Sequence, residues 1–324
     1  MNLRAEIPTS ENKYRGVISS LDELIVLRHE ARTLRLDFSR GIRSVLAGPH
    51  RSRFRGRGMD YAESRHYEPG DDVRSIDWRV TARTGKTHTK LFTEERERPV
   101  FLLLDFSSGM YFGTRETLKT VLAARVASLI TWTASLNGDR VGGVLVNDAG
   151  LRDLKPRSGR RGALMMINAL AAATAEIPID WKTSLLNTGL EHLSAVVHPG
   201  SLIFVFSDFY GVNKTSHRLV STLSQHNDIV ACHVCDPLEL EPPKSGRYRV
   251  SDGSSAGNFA LIDSQSRSGR RIYRERVIDQ IELVESELLK FGIPVLRFCN
   301  GTNPAKTLNG YFGGGLKTGK RSGI

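Results

Sequence analysis

The sequence predicts an α/β fold: a doubly wound, mainly parallel sheet covered on both faces by helices, with an N-terminal helical and loop module before it. Three observations carry this. From Pro99 to Asn300, short apolar runs alternate with helix-patterned segments, the order that strand–helix–strand units produce. Two of the runs, "VFLLLDF" and "SLIFVFSDF", are continuously apolar, as strands buried on both faces are. Helix stops separate them, at Gly138 and at Pro199-Gly200.

In chain order, residues 1–98 form the N-terminal module. Leu21, Leu24, Ile25 and Leu27 fall at helical spacing behind Ser20, a suitable N-cap. The Arg-, Gly- and Asp-rich "HRSRFRGRGMDYAESRHYEPGDDVRSIDWRVTARTGKTHTK" follows. It is too short and polar to fold well by itself and is expected to pack on what comes next. Its "EPGDD" sets Pro before Gly, as a type II turn requires. Within it, Arg65, Arg74 and Arg79 are expected to pair with Asp71, Asp72 and Asp77 as an internal network, guanidinium groups suiting bidentate pairing. Trp78 reads as its core anchor.

Residues 99–300 form the α/β domain. After "VFLLLDF" the segment "TRETLKTVLAARVASLITWTASLNG" reads as helix, "DRVGGVLVND" as strand and "LRDLKPR" as a short edge strand. Two helices follow, "GRRGALMMINALAAATAE" and "SLLNTGLEHLSAVVHPG", then the strand "SLIFVFSDF" and the helix "NKTSHRLVSTLSQHN". "DIVACHVCD" is a strand, "RYRVSDGSSAGNFALID" a hairpin, "IYRERVIDQIELVESELLKFG" a long amphipathic helix and "IPVLRFC" the last strand. Residues 301–324, Gly- and Lys-rich with little to bury, read as a flexible basic tail.

The 324 residues carry a formal net charge of +11, which favours acidic partners without choosing among nucleic acid, membrane surface and protein. Three cysteines cannot build a disulfide framework, so a reducing compartment is expected. In "CHVC", Cys232 and Cys235 lie three apart on a strand and so face opposite ways, which argues for core packing over metal or redox work. The start lacks the apolar stretch of a signal peptide. No apolar run approaches the ~20 residues a membrane helix needs. A cytoplasmic protein is the expectation.

In a doubly wound sheet the functional crevice lies at the carboxyl ends of the strands. Two strands here end in carboxylates, Asp105 and Asp208, with Ser107, Ser108 and Ser207 beside them and Thr183 and Ser184 at the start of a later helix. An all-oxygen set of this kind suits Mg²⁺. Any one of these residues taken alone reads more simply as a helix cap.

"LLLDFSSGM", "KTSLLNTGL" and "FVFSDF" together resemble the metal-ion-dependent adhesion site of von Willebrand factor A domains, a Rossmann-like fold. "YEPGDDVRSIDWRVTARTG" and its surroundings resemble the DUF-fifty-eight family, whose members carry such a domain and often accompany MoxR-type AAA+ ATPases. The resemblance implies a metal site of Asp105, Ser107, Ser184 (with Thr183 as rival) and Asp208, holding Mg²⁺ or Mn²⁺. Gly109 replaces the second serine of the pattern. It further implies a non-enzymatic, protein-binding adaptor that partners such an ATPase in the assembly or maturation of other complexes.

Two other classes remain open. An aspartyl phosphoryl-transfer site would make Asp105 the nucleophile, but its second carboxylate position is held by Ser107. Nucleic-acid binding would use "HRSRFRGRG" and the tail lysines, although Asp60, Glu63, Glu68, Asp71, Asp72 and Asp77 offset much of that charge.

Overall fold

A computed structural model of the protein describes residues 16–34, 60–68, 71–93, 98–178, 185–251 and 259–312. It divides into two compact units, Met1–His50 with Pro99–Ile324, and Arg51–Arg98. This corrects the predicted boundary, because helix α1 (Leu21–Ala31) belongs to the larger unit. Ser20 caps it, its hydroxyl oxygen accepting from the Glu23 N–H at 3.1 Å. The buried Leu24 and Ala31 lie in the main core. The Leu24 carbonyl accepts from Trp132 Nε1 at 3.0 Å. An amphipathic helix goes where an apolar surface will cover its stripe.

In the smaller unit, strands β1 (Asp60–His66) and β2 (His88–Thr93) pair antiparallel. The expected network is present only in part. Arg65 Nη2 donates to Asp71 Oδ1 at 2.7 Å, and Asp71 Oδ2 accepts from the Glu68 N–H at 3.0 Å. Asp72 and Asp77 serve the backbone. Asp72 Oδ1 accepts from the Arg74 N–H at 2.9 Å. Asp77 caps helix α2 (Trp78–Thr84) by accepting from the N–H groups of Arg79 and Val80 at 3.1 and 3.2 Å. The Ser64 hydroxyl donates to its other oxygen at 2.9 Å. Trp78 is no core anchor: it opens this seven-residue helix, which buries none of its residues, and is 69% exposed.

The larger unit is built on β3 (Val100–Asp105), β4 (Val141–Asn147), β5 (Gly150–Arg157), β6 (Leu202–Ser207), β7 (Asp228–Cys235) and a final strand, Val295–Cys299. With a hairpin of β8 (Arg247–Ser251) and β9 (Phe259–Asp263) intervening, that final strand is β10. The sheet order is β10-β7-β6-β3-β4-β5, with all neighbours parallel except the edge strand β5, antiparallel to β4. The chain winds outward from β3 one way through β4 and the other way through β6, so the sheet is doubly wound and reverses between β3 and β6.

Strand alternation divides the core in two. Val100, Leu102 and Leu104 face α1, α3 (Lys119–Leu136) and α4 (Gly159–Ala175). Phe101 and Leu103 face α5 (Leu186–Val196) and α6 (Lys214–Ser224). Each such side chain fully buried contributes about 1.5–3 kcal/mol before entropy is charged. After β7 come the short α7 (Pro237–Leu240) and the hairpin. The long predicted helix follows as α8 (Arg267–Tyr273), a π-helical turn over Arg274–Ile278, and α9 (Asp279–Lys290). Register partners His233 of β7 and Arg297 of β10 both reach Glu285 of α9: His233 Nδ1 lies 2.5 Å from Oε1, and Arg297 Nε donates to Oε1 at 2.9 Å.

The expected tail is helical where it is described. Helix α10 (Pro304–Phe312) buries Ala305, Leu308 and Phe312, with the Phe312 ring edge-on to Phe204 at 6.0 Å between centroids. Three apolar residues among polar ones suffice for one buried stripe, which composition alone conceals. Residues 313–324 lie outside the described set.

Candidate functional site

The two predicted strand-end carboxylates stand at the sheet's reversal point. β3 and β6 are direct neighbours, with Leu104 opposite Phe206, so Asp105 and Asp208 emerge on one edge. Asp105 is 1% exposed. Its Oδ1 accepts from the Ser107 N–H at 3.0 Å and its Oδ2 from the Ser207 hydroxyl at 2.8 Å. Burial first, and then the charge of Asp208, push its pKa up to about 6, against the pull of those hydrogen bonds. Ser107 is buried and precedes a 3₁₀ turn over Ser108–Met110, yet its side chain does not cap that turn. Thr183 and Ser184 lie outside the described residues; α5 begins at Leu186.

Asp208 is oriented by its own loop and by a distant lysine. Its Oδ1 accepts from the Tyr210 N–H at 3.0 Å and its Oδ2 from Lys119 Nζ at 3.0 Å. Between them, Phe209 sits at φ +54°, a left-handed conformation rare for a bulky residue. Such strain costs of order 1–3 kcal/mol. Burial of the Phe209 ring beside His233 offsets it.

Lys119 is the residue that sequence reasoning missed. It opens α3, is 1% exposed, and donates to Glu239 Oε1 at 2.7 Å as well as to Asp208. A cation at a helix N-terminus opposes the macrodipole, and burial lowers its pKa further. The two carboxylates outweigh both and hold it above the usual lysine range.

The predicted helix start at Thr114 gives way to a loop, because its side chains are held across the sheet edge. Asp236, just past β7, accepts from the Thr114 N–H at 2.8 Å and from the Thr114 hydroxyl. Asn300, just past β10, takes the Thr117 hydroxyl on Oδ1 at 2.6 Å and donates to the Thr117 carbonyl at 2.7 Å. The Asp236 N–H in turn fixes Glu239 Oε2 at 2.7 Å. Asp105, Asp208, Asp236 and Asn300 are thus four polar residues at the ends of four parallel strands. The signal for Asp236 was present in "HVCDP", which ends in aspartate as the other two strands do.

The described donors do not fit the expected Mg²⁺ or Mn²⁺. Such an ion needs about six oxygens at ~2.0–2.1 Å. Gly109 supplies none, and Asp208 Oδ2 already faces an ammonium. A divalent ion ~5 Å from that ammonium would meet about 6–7 kcal/mol of repulsion at an effective dielectric of ~20. Among the described residues, no three His, Cys, Asp or Glu side chains converge as a metal-ligand set. Nor does the arrangement suit phosphoryl transfer, since both Asp105 oxygens are engaged and buried. Two large side chains of the loops at this edge are exposed, Tyr210 at 68% and Phe112 at 38%.

Cys232 and Cys235 are both buried. Cys232 lies in the core on the α3 side, while Cys235 donates to the Phe298 carbonyl at 3.6 Å. No helix among the described residues is long and apolar enough to cross a membrane.

Residues 63–282 match the family model described as "Protein of unknown function DUF58". The chain is 32% identical over 224 residues to the uncharacterized protein Mb1516 of Mycobacterium bovis, covering 69% of this chain and 70% of that one. The uncharacterized protein Rv1480 of Mycobacterium tuberculosis matches equally. Among solved structures, the conserved hypothetical protein BatB from Bacteroides thetaiotaomicron aligns with a TM-score of 0.42 and 14% identity, over 67% of this chain and 97% of that one.

Proposed function

The chain belongs to the DUF58 family, and we propose that it is a non-enzymatic, protein-binding adaptor that docks its partner at the carboxyl edge of the sheet. The observation that carries this is the edge itself. Asp105, Asp208, Asp236 and Asn300 are all immobilised by hydrogen bonds, with Tyr210 and Phe112 exposed beside them. Exposed aromatics over a rigid base are what binding hot spots use. The domain is read as von Willebrand factor A-like on its doubly wound order and on the motif around Asp105. The partner is read as a MoxR-type AAA+ ATPase, acting in the assembly or maturation of a client complex in the cytoplasm.

Titration of the purified protein with a purified MoxR-type ATPase, followed by calorimetry, tests this. Binding is expected to be lost in Asp208→Ala and weakened at least tenfold in Tyr210→Ala, with circular dichroism unchanged. Full-strength binding by both variants would sink the assignment.

One observation favours a second reading. Trp78, 69% exposed, shares the short helix α2 with Arg79 and Arg83. A stacking ring among cations suits single-stranded nucleic acid. Affinity for an oligonucleotide that falls steeply with salt and disappears in Trp78→Ala would replace the adaptor reading with this one.

A further inference from the structure

We propose that Lys119 is the cation of the strand-edge site, supplied covalently by the chain, and that the site works without a divalent metal. The inference concerns the charge balance of the edge and stands whether or not a partner docks there.

Three independent features of the geometry lead to it. The first is placement. Lys119 is the first residue of α3 and no acidic side chain lies in that first turn, so neither the helix nor a local ion pair accounts for a buried ammonium there. What accounts for it is Asp208 Oδ2 at 3.0 Å and Glu239 Oε1 at 2.7 Å, 89 and 120 residues away in sequence. The second is room. A Cβ on Gly109 would stand 2.8 Å from Asp208 Oδ2. The carboxylate, turned toward Lys119, occupies the space a serine side chain at 109 would need. Glycine at 109 leaves the edge without a hydroxyl ligand there, and Lys119 supplies the positive charge.

The third is rigidity. Glu239 is locked by the Asp236 N–H at 2.7 Å, and Asp236 by Thr114, Leu238 and Asn300. The ammonium is therefore held between two fixed carboxylates, with its charge also facing the Phe112 ring at 5.9 Å. A buried charge that is paired and hydrogen-bonded on this scale does not yield its place to a solvated ion. Binding at this edge is consequently insensitive to chelators and sensitive to Lys119.

The test titrates Mn²⁺ into the full chain, following loss of the free-ion electron paramagnetic resonance signal. Wild type is expected to show no saturable binding at millimolar Mn²⁺. The double variant Lys119→Met/Gly109→Ser, which removes the ammonium and restores a hydroxyl, is expected to gain a saturable site that Asp208→Ala abolishes. If the methionine variant fails to fold, Lys119→Gln, which still hydrogen-bonds both carboxylates, is read in its place. Saturable binding by wild type that is lost in Asp208→Ala overturns the proposal. So does a folded double variant that binds no Mn²⁺, because the lysine would then not be what excludes the metal.

Discussion

Asp208 Oδ2 lies 2.8 Å from where a Cβ would stand on Gly109. Position 109 is thus held to glycine by a side chain that comes from the far half of the domain. Gly109→Ala forces the carboxylate away from Lys119 or the turn away from β6. Overpacking of this kind costs about 1–3 kcal/mol. Urea denaturation should register that loss in the wild-type background and little of it when Gly109→Ala is added to Asp208→Ala, because the clash disappears with the carboxylate. An undiminished loss in the Asp208→Ala background would mean that the turn needs glycine for another reason.

The raised pKa of Asp105, about 6 against an ordinary 3.8, has a defined sign. Its folded state holds a proton that its unfolded state releases between pH 4 and pH 6. The group's contribution to stability is therefore full below pH 4 and is lost as pH rises through 6. For this fully buried carboxyl the change amounts to about 3 kcal/mol. Asp105→Asn removes the titration. The stability of wild type minus that of the variant should be larger at pH 4 than at pH 7 by about that amount, measured from urea curves at both. A difference that does not move with pH would contradict the assigned shift.

The parts of this site that sequence made legible are the parts with a local signature. Asp105 and Asp208 end continuous apolar runs, and a sheet of this order brings such ends together, so the carboxylates and Ser107 were readable from strand pattern alone. Lys119 was not, because its partners Asp208 and Glu239 are chosen by strand order rather than by spacing. The run "TRETLK" also has good helical composition, and the holds of Asp236 on Thr114 and of Asn300 on Thr117 keep it a loop. Trp78 misled for the opposite reason. A tryptophan is usually buried on average, and here the helix that bears it is too short to bury anything. The aspartates of "DDVRSID" were paired with the nearest arginines by charge, whereas the unsatisfied N–H groups of two short helices claimed Asp72 and Asp77 first.

Glu285 ties α9 to the sheet through two strands at once. Burial would raise its pKa, but hydrogen bonds from His233 and Arg297 prevail and hold it at about 2. A depressed carboxyl stabilises the fold above its ordinary value of 4.5, and that contribution disappears as pH falls toward 2. Glu285→Gln is expected to cost about 1–2 kcal/mol at pH 7, allowing for solvent screening on the Arg297 side. At pH 2.5 it should cost much less. Urea midpoints that fall equally at both pH values would show the carboxylate charge to be irrelevant there.

Phe312 closes the same core from the chain's other end. It is 1% exposed and meets Phe204 of β6 edge-on, two residues before Phe206 and four before Asp208. Phe312→Ala therefore opens a cavity directly under the strand that carries the site. Losses of this type run to about 3–5 kcal/mol, enough to lower Tm by several degrees. A chain ended after Phe312 keeps Ala305, Leu308 and Phe312 buried and should melt close to the full chain. A chain ended at Asn303 should melt far lower and expose the Phe204 face to a hydrophobic dye. Equal melting of all three would return residues 304–312 to a dispensable tail. Loss in the Asn303 chain alone, with Phe312→Ala unchanged, would place the stabilisation on Leu308 and Ala305.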